Sequence, residues 1–150
     1  MGNGLLPSIV RTQTPVYEDV LRYYFEIIIV EDTDHTDTFW RFGTMIGFAD
    51  ASAPLGRNCL GVTEHSVGYH GVDGKVFCDG YTGLEFGPTF GKGDVVGCGL
   101  DRLAGGQVFF TKNGKLVGLH IPPRGGCSSL SSSPLTAFPC DACLWVSIVA

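Results

Sequence analysis

Short apolar runs separated by turn residues dominate the sequence. The densest run covers residues 23–30, where aromatic and β-branched side chains follow one another before an acidic stretch that begins at Glu31. The run is too short for a helix and has the composition of a strand. We therefore predict a strand here that is largely buried.

Two turn signals predict tight hairpins. Residues 71–74 read Gly-Val-Asp-Gly between two apolar runs, and Asn113 with Gly114 stands between residues 107–111 and 116–121. Asn-Gly and Asp-Gly pairs suit two-residue hairpin turns, because these turns need residues that adopt a positive φ. Each pair therefore predicts two adjacent antiparallel strands.

The remaining runs follow the same pattern, and none has the period of a helix. Further strands are expected within residues 39–49, 94–101 and 142–149, with a long loop over residues 50–65 and a Ser-rich loop over residues 122–134. Many short strands with turn signals between them indicate an all-β sandwich or barrel. A length of 150 residues suits one domain, and the 22 glycines suit frequent turns.

Charge and composition narrow the classes of partner. The formal net charge is -5, so the chain has no broad cationic field for nucleic acid or anionic lipid. It also has no run of roughly 20 apolar residues that would cross a membrane, and no cationic-then-apolar leader. We expect a cytoplasmic protein, with a nuclear one also possible. We also expect the scattered cysteines to be reduced: Cys59, Cys78, Cys98, Cys127, Cys140 and Cys143.

The order of the motifs resembles that of SPRY domains, most closely the Ran-binding-protein type. The resemblance is carried by residues 24–27, 46–49, 68–74, 87–90, 93–98 and 110–115. It implies a bent antiparallel β-sandwich of two sheets, with concanavalin-like jelly-roll topology, over residues 23–150. Residues 1–22 would be an irregular lead-in with one short strand at residues 8–11.

The resemblance also implies a function. It predicts a monomer without cofactor, metal or catalytic centre, whose rim loops bind a short linear segment of a partner protein. A role as substrate receptor or scaffold in a ubiquitin-ligase-type complex is included in that expectation.

Two departures from the family pattern suggest a different partner. Leu60, Gly61 and Val62 stand where close relatives have Pro-Gly-Trp, and the closing strand near the C-terminus is expected to be short or incomplete. An incomplete edge would leave backbone groups for another chain to cover.

The partner-binding residues implied by the resemblance lie on four segments. These are the lead-in from Thr12 to Arg22, the loop after Ala49, the hairpin around Phe77, and a loop that carries Trp145. Aromatic residues and arginine dominate interface energetics, whereas period-2 alternation makes Phe77 and Tyr69 core residues equally well. The predicted set is Tyr17, Pro54, Arg57, Tyr69, Phe77, Tyr81 and Trp145.

Other functions are compatible with parts of the sequence. A lectin-like sandwich that binds sugar is the alternative function, and a thiol enzyme that uses Cys140 or Cys143 is a third. His65 with His70 lacks the further ligands of a zinc site, and the acidic run from Asp32 to Asp37 lacks the glycine and the glutamate of a calcium loop. Asp94 is predicted to bond nearby backbone N–H groups in a structural role.

Overall fold

The computed structural model describes residues 7–17, 19–30, 43–50, 59–62, 66–80, 82–120 and 142–149. These residues form ten strands and no helix. The described ranges therefore contain no helix that could cross a membrane. The strands are β1 (Pro7–Arg11), β2 (Arg22–Ile28), β3 (Met45–Asp50), β4 (Ser66–His70), β5 (Lys75–Cys78), β6 (Leu84–Glu85), β7 (Val95–Asp101), β8 (Gln107–Lys112), β9 (Lys115–His120) and β10 (Ala142–Val149).

The strands form two antiparallel sheets. Sheet A has the order β1-β10-β3-β4-β5-β6, and sheet B has the order β2-β7-β8-β9. The predicted all-β antiparallel sandwich is therefore confirmed. Strand β1 lies in the predicted lead-in, where it pairs with β10. Strand β10 has eight residues and lies between β1 and β3, pairing with β1 through residues 145–149 and with β3 through residues 142–147.

Both predicted hairpins are present. Residues 71–74 join β4 to β5, and Asn113 with Gly114 joins β8 to β9. Asn113 has a φ of 50° and Gly114 a φ of 75°, which is the backbone that a two-residue hairpin turn of this kind requires. The local chemistry of the Asn-Gly pair thus determines the end of β8 and the start of β9.

The main core lies between the inner faces of the two sheets. Sheet A contributes Phe48 and Tyr69, sheet B contributes Leu100 and Phe110, and all four are at most 1% exposed. The Tyr69 ring packs against Phe110 at a centroid distance of 5.3 Å. Its hydroxyl donates to the carbonyl oxygen of Pro88, so the one polar atom of this large side chain is satisfied where it is buried.

A second, smaller core covers part of the outer face of sheet A. Residues 59–62, which we call the covering segment, lie over β3, β4 and β5, and Cys59 and Leu60 are buried there with Met45 and Ala49. Val62 is partly buried and packs against this cluster.

Two details differ from the predictions. Strand β2 is not largely buried, because alternate residues from Arg22 to Ile28 are exposed. Cys78 is disulfide-bonded rather than reduced, whereas Cys59 and Cys98 are free and buried. The first difference arises because only one face of β2 meets the core.

Asp94 has the structural role predicted for it. Its carboxylate accepts hydrogen bonds from the Gly91 N–H at 3.0 Å and from Asn113 Nδ2 at 2.8 Å, and Lys112 Nζ lies 3.2 Å away. The backbone bond to Gly91, together with Asn113 and Lys112, holds the pKa of Asp94 below its ordinary value. The carboxylate thereby joins the start of β7 to the end of β8.

Candidate functional site

Arg102 joins the lead-in to the turn between β7 and β8. Its Nη1 donates to the carbonyl oxygens of Tyr17 at 2.7 Å and Val20 at 2.6 Å, and its Nη2 donates to that of Val16 at 3.1 Å. The Arg102 backbone N–H also donates to the Leu21 carbonyl at 2.8 Å. A planar guanidinium with several fixed donors is suited to holding several carbonyl groups at once, so the lead-in has a defined path here.

The two segments joined by Arg102 carry three large apolar side chains that are mostly in solvent. Tyr17 is 58% exposed, Leu21 52% and Leu103 62%. We call these three residues together with Arg102 the Arg102 rim. Single exposed apolar residues are ordinary, but several on adjacent, hydrogen-bonded segments are typical of interaction surfaces.

Further bonds hold the backbone beneath the rim. Asp101 accepts a hydrogen bond from the Ala104 N–H at 3.2 Å through its side chain, and from the Gly106 N–H at 3.1 Å through its carbonyl oxygen. Arg22 Nε lies 3.1 Å from Asp101 Oδ2, which joins the start of β2 to the same turn. The exposed side chains are therefore attached to a backbone that is already ordered, so that binding through them would cost little conformational entropy in the backbone.

Of the predicted partner-binding residues, Tyr17 is on this rim, and its role there stays a prediction. Tyr69 and Phe77 are placed otherwise: Tyr69 is completely buried in the main core, and Phe77 is 6% exposed. The Phe77 ring stacks on His70 with centroids 4.1 Å apart, on the face of sheet A that the covering segment covers. The alternative weighed for both residues, a place in the core, matches their burial.

The remaining predicted residues are not assembled with Tyr17 by the described part of the chain. Pro54, Arg57 and Tyr81 lie outside the described residues, as do His65, Cys140 and the acidic run from residue 32 to 37. Trp145 was predicted on a loop, but its backbone lies within β10, opposite Arg11 of β1 and Gly47 of β3. The loop assignment is therefore wrong.

Leu21, Arg102 and Leu103 are functional candidates that the sequence pattern did not predict. Arg102 and Leu103 follow the predicted strand 94–101 immediately, and Leu21 directly precedes β2. An arginine and a leucine that come after a strand and before a Gly-Gly turn are a weak signal of a surface feature. The bonds that make Arg102 informative cross more than 80 positions of the chain, which no local pattern records.

The buried histidine and cysteine side chains have environments that favour their uncharged forms, as is typical of structural residues. Burial lowers the pKa of His70 to about 4, against the opposing effect of its hydrogen bond to Leu60. Burial also raises the pKa of Cys59 to about 11 and that of Cys98 above its ordinary value, which is the reverse of thiol activation. No group of three or more His, Cys, Asp or Glu residues within the described ranges is arranged to hold a metal ion.

Comparison with known proteins identifies the family. The SPRY domain family model matches residues 22–122, which is most of the chain. The chain belongs to the SPRY domain family. A crystal structure of a human SPRY domain superposes with a TM-score of 0.70 at 28% identity, and covers 98% of this chain and 81% of that one. The SPRY domain of human HERC1 shares the fold, with a TM-score of 0.67 at 18% identity over 97% of this chain and 76% of that one.

The curated relatives with similar sequences include Ran-binding proteins. Ran-binding protein 9 of Mus musculus is 38% identical over 82% of this chain, and Ran-binding protein 10 of Danio rerio is 39% identical over 77%. The Ran-binding protein M homolog of Arabidopsis thaliana is 37% identical over 74%. This SPRY domain spans about a fifth of the length of these relatives, 18%, 18% and 22% respectively.

The family assignment carries a coarse function. SPRY domains are generally protein–protein interaction modules. The predicted family and its interaction role are thus confirmed at this level.

Proposed function

We propose that this SPRY domain binds a short extended segment of a partner protein at the Arg102 rim. Tyr17, Leu21 and Leu103 would bury their exposed side chains against the partner, and Arg102 would keep the two supporting segments in place. The observation that carries the proposal is the set of Arg102 side-chain bonds to three carbonyl groups of the lead-in, which holds this segment in place while the nearby apolar side chains stay exposed.

The proposed activity is binding without catalysis. The net charge of -5 supports a protein partner over nucleic acid. By family likeness, the domain would serve as a substrate receptor or scaffold in a ubiquitin-ligase-type complex, in the cytoplasm or the nucleus. The departure at Leu60, Gly61 and Val62 supports a partner that differs from those of close relatives.

Selection from a displayed library of random peptides, with the intact chain as bait, tests the rim directly. We expect selected peptides to bind Tyr17→Ala and Leu103→Ala at least about tenfold more weakly, since each substitution removes a large anchor. Leu84→Ala is the matched control, because Leu84 is 57% exposed but lies on β6 of the other sheet. Selected peptides that bind all three variants as they bind the unaltered chain would show that the rim is not the site.

The same variants distinguish the alternative function. A lectin-like sandwich would also use an exposed ring such as that of Tyr17, which can stack on a sugar. A glycan array probed with the unaltered chain should give no signal that Tyr17→Ala abolishes. Such a signal, together with a failed peptide selection, would replace the peptide proposal with the lectin-like one.

A further inference from the structure

Strand β2 is an edge of sheet B, and its backbone groups alternate in direction. Ile29 N–H donates to the Asp94 carbonyl at 2.9 Å, and the Arg102 N–H donates to the Leu21 carbonyl at 2.8 Å. Bonded positions alternate along an antiparallel pair, so the odd-numbered residues of β2 bond to β7. The N–H and C=O groups of Arg22, Tyr24 and Glu26 therefore point away from β7, where no other strand of the described residues pairs with β2.

The inward side chains of β2 are incompletely covered. Tyr23, Phe25 and Ile27 pack against the main core but are only partly buried. Their direct neighbours on β7, which include Cys98 and Leu100, are at most 1% exposed. The difference arises because β7 has a strand on each side, whereas among the described strands β2 has a neighbour on one side only. A further strand beside β2 would cover both the polar backbone and these apolar side chains.

The charges of β2 specify which strand fits there. An antiparallel copy of β2 centred on Tyr24 would place Arg22 directly opposite Glu26 of the second copy, and Glu26 opposite its Arg22. In that register the backbone N–H and C=O groups of Arg22, Tyr24 and Glu26 point towards the second copy. The residues that form the backbone hydrogen bonds between the copies therefore also include the two that form the ion pairs. Arg22 contacts Asp101 through Nε, and its side chain is 70% exposed, so it remains accessible to a second carboxylate.

We propose that two copies of this chain associate through β2, in antiparallel register about Tyr24, to form one continuous sheet from their two sheets B. The pairing is isologous, since each copy uses the same residues. It joins few residues, so a weak and concentration-dependent dimer is expected. The proposal excludes the monomer predicted from the family resemblance, and it does not depend on the Arg102 rim.

Charge-reversal variants measured by sedimentation velocity test the register. Glu26→Arg places Arg22 opposite an arginine at both ends of the pairing, and Arg22→Glu places two glutamates opposite one another. We expect each variant alone to associate at least about tenfold more weakly than the unaltered chain. An equimolar mixture of the two restores both ion pairs, so a heterodimer should form on mixing. Recovery on mixing also shows that neither variant has lost its fold.

Glu85→Arg is the matched control, because it makes the same change of charge on β6, an edge strand of sheet A. It should associate as the unaltered chain does. The proposal is overturned if the unaltered chain stays monomeric at high concentration. It is overturned equally if Glu26→Arg associates normally, or if the mixture of the two variants stays monomeric.

Discussion

Glycines on the outer faces of the two sheets both allow another group to approach closely, but the outer face becomes buried in sheet A and stays partly exposed in sheet B. On sheet A, Gly68 allows the covering segment to approach so closely that a Cβ at Gly68 would lie 2.6 Å from the Leu60 carbonyl oxygen. On sheet B, Gly97 and Gly99 make room for the rings of Tyr24 and Phe109, which stack with centroids 5.8 Å apart. One face is thereby covered by backbone, and the other is lined with aromatic side chains that border solvent.

The difference shows in the burial of the strands. All five residues of β4 are buried, whereas exposed and partly buried residues alternate along β2. A strand covered on both faces loses the period-2 pattern, and a strand covered on one face keeps it. A glycine on the outer face of a strand therefore allows close approach in both sheets. The strand becomes buried where a backbone segment approaches, and stays partly exposed where an aromatic side chain approaches.

Gly68→Ala is expected to have the largest effect. The added methyl group would meet the backbone of the covering segment, which cannot turn aside as a side chain can. We expect a loss of about 3 to 4 kcal/mol in the free energy of unfolding. Urea unfolding followed by circular dichroism measures it. A loss smaller than that caused by Gly99→Ala on sheet B would show that the backbone of the covering segment moves aside for the added methyl group.

Acidification is expected to have the second-largest effect, by lowering the stability contributed by His70 on the covered outer face of sheet A. The neutral His70 ring donates from Nε2 to the Leu60 carbonyl at 2.8 Å, and burial lowers the pKa of His70 from 6.5 to about 4. Because the folded pKa lies below the unfolded one, the unfolded chain binds the proton first as the pH falls. Stability from this group is complete above about pH 6.5 and is lost towards pH 4, by up to roughly 3 kcal/mol.

Unfolding curves for the unaltered chain and His70→Gln between pH 7 and pH 4 check this. Their difference in unfolding free energy should shrink as the pH falls, since the variant has no imidazole to titrate. A constant difference across that range would show that His70 does not titrate below its ordinary pKa in the folded chain.

Gly99→Ala gives the matched comparison on the open face. Its Cβ would lie 2.0 Å from the tip of the Phe109 ring, but that ring can move outwards into solvent. We therefore expect a smaller loss of about 1 kcal/mol, which includes the altered stacking on Tyr24. Losses of equal size for Gly68→Ala and Gly99→Ala, measured by the same unfolding assay, would remove the distinction between the two faces.

Tyr24→Phe should have the smallest effect. The Tyr24 hydroxyl donates to Glu26 Oε1 at 2.7 Å and lies 2.6 Å from Thr111 Oγ1, but these groups are accessible to water. Loss of the hydroxyl should lower stability by about 0.5 kcal/mol and leave the aromatic pair in place. A loss above about 2 kcal/mol would mean that water does not compete for these bonds.

The sequence by itself determined the family, the all-β class and the tight turns. The turn at Asn113 and Gly114 follows from the φ values that these residues accept, which is a property of adjacent residues. The last strand was likewise visible as an apolar run over residues 142–149. Asp94 was identified as structural because its bonding to backbone N–H groups is local.

Only the tertiary structure decided which residues are exposed. The apolar run at the start of the sandwich predicted a largely buried β2, and the sequence left Tyr69 and Phe77 open between a partner-binding surface and the core. In the structure Tyr69 is buried between the two sheets, Phe77 is buried on the outer face of sheet A beside the covering segment, and only alternate residues of β2 are partly buried. No segment among the described residues covers the outer face of β2 as residues 59–62 cover that of sheet A. Arg102 reaches the lead-in across 82 to 86 positions. Burial and such long-range bonds depend on what packs against a residue, and the local pattern of side chains does not contain that information.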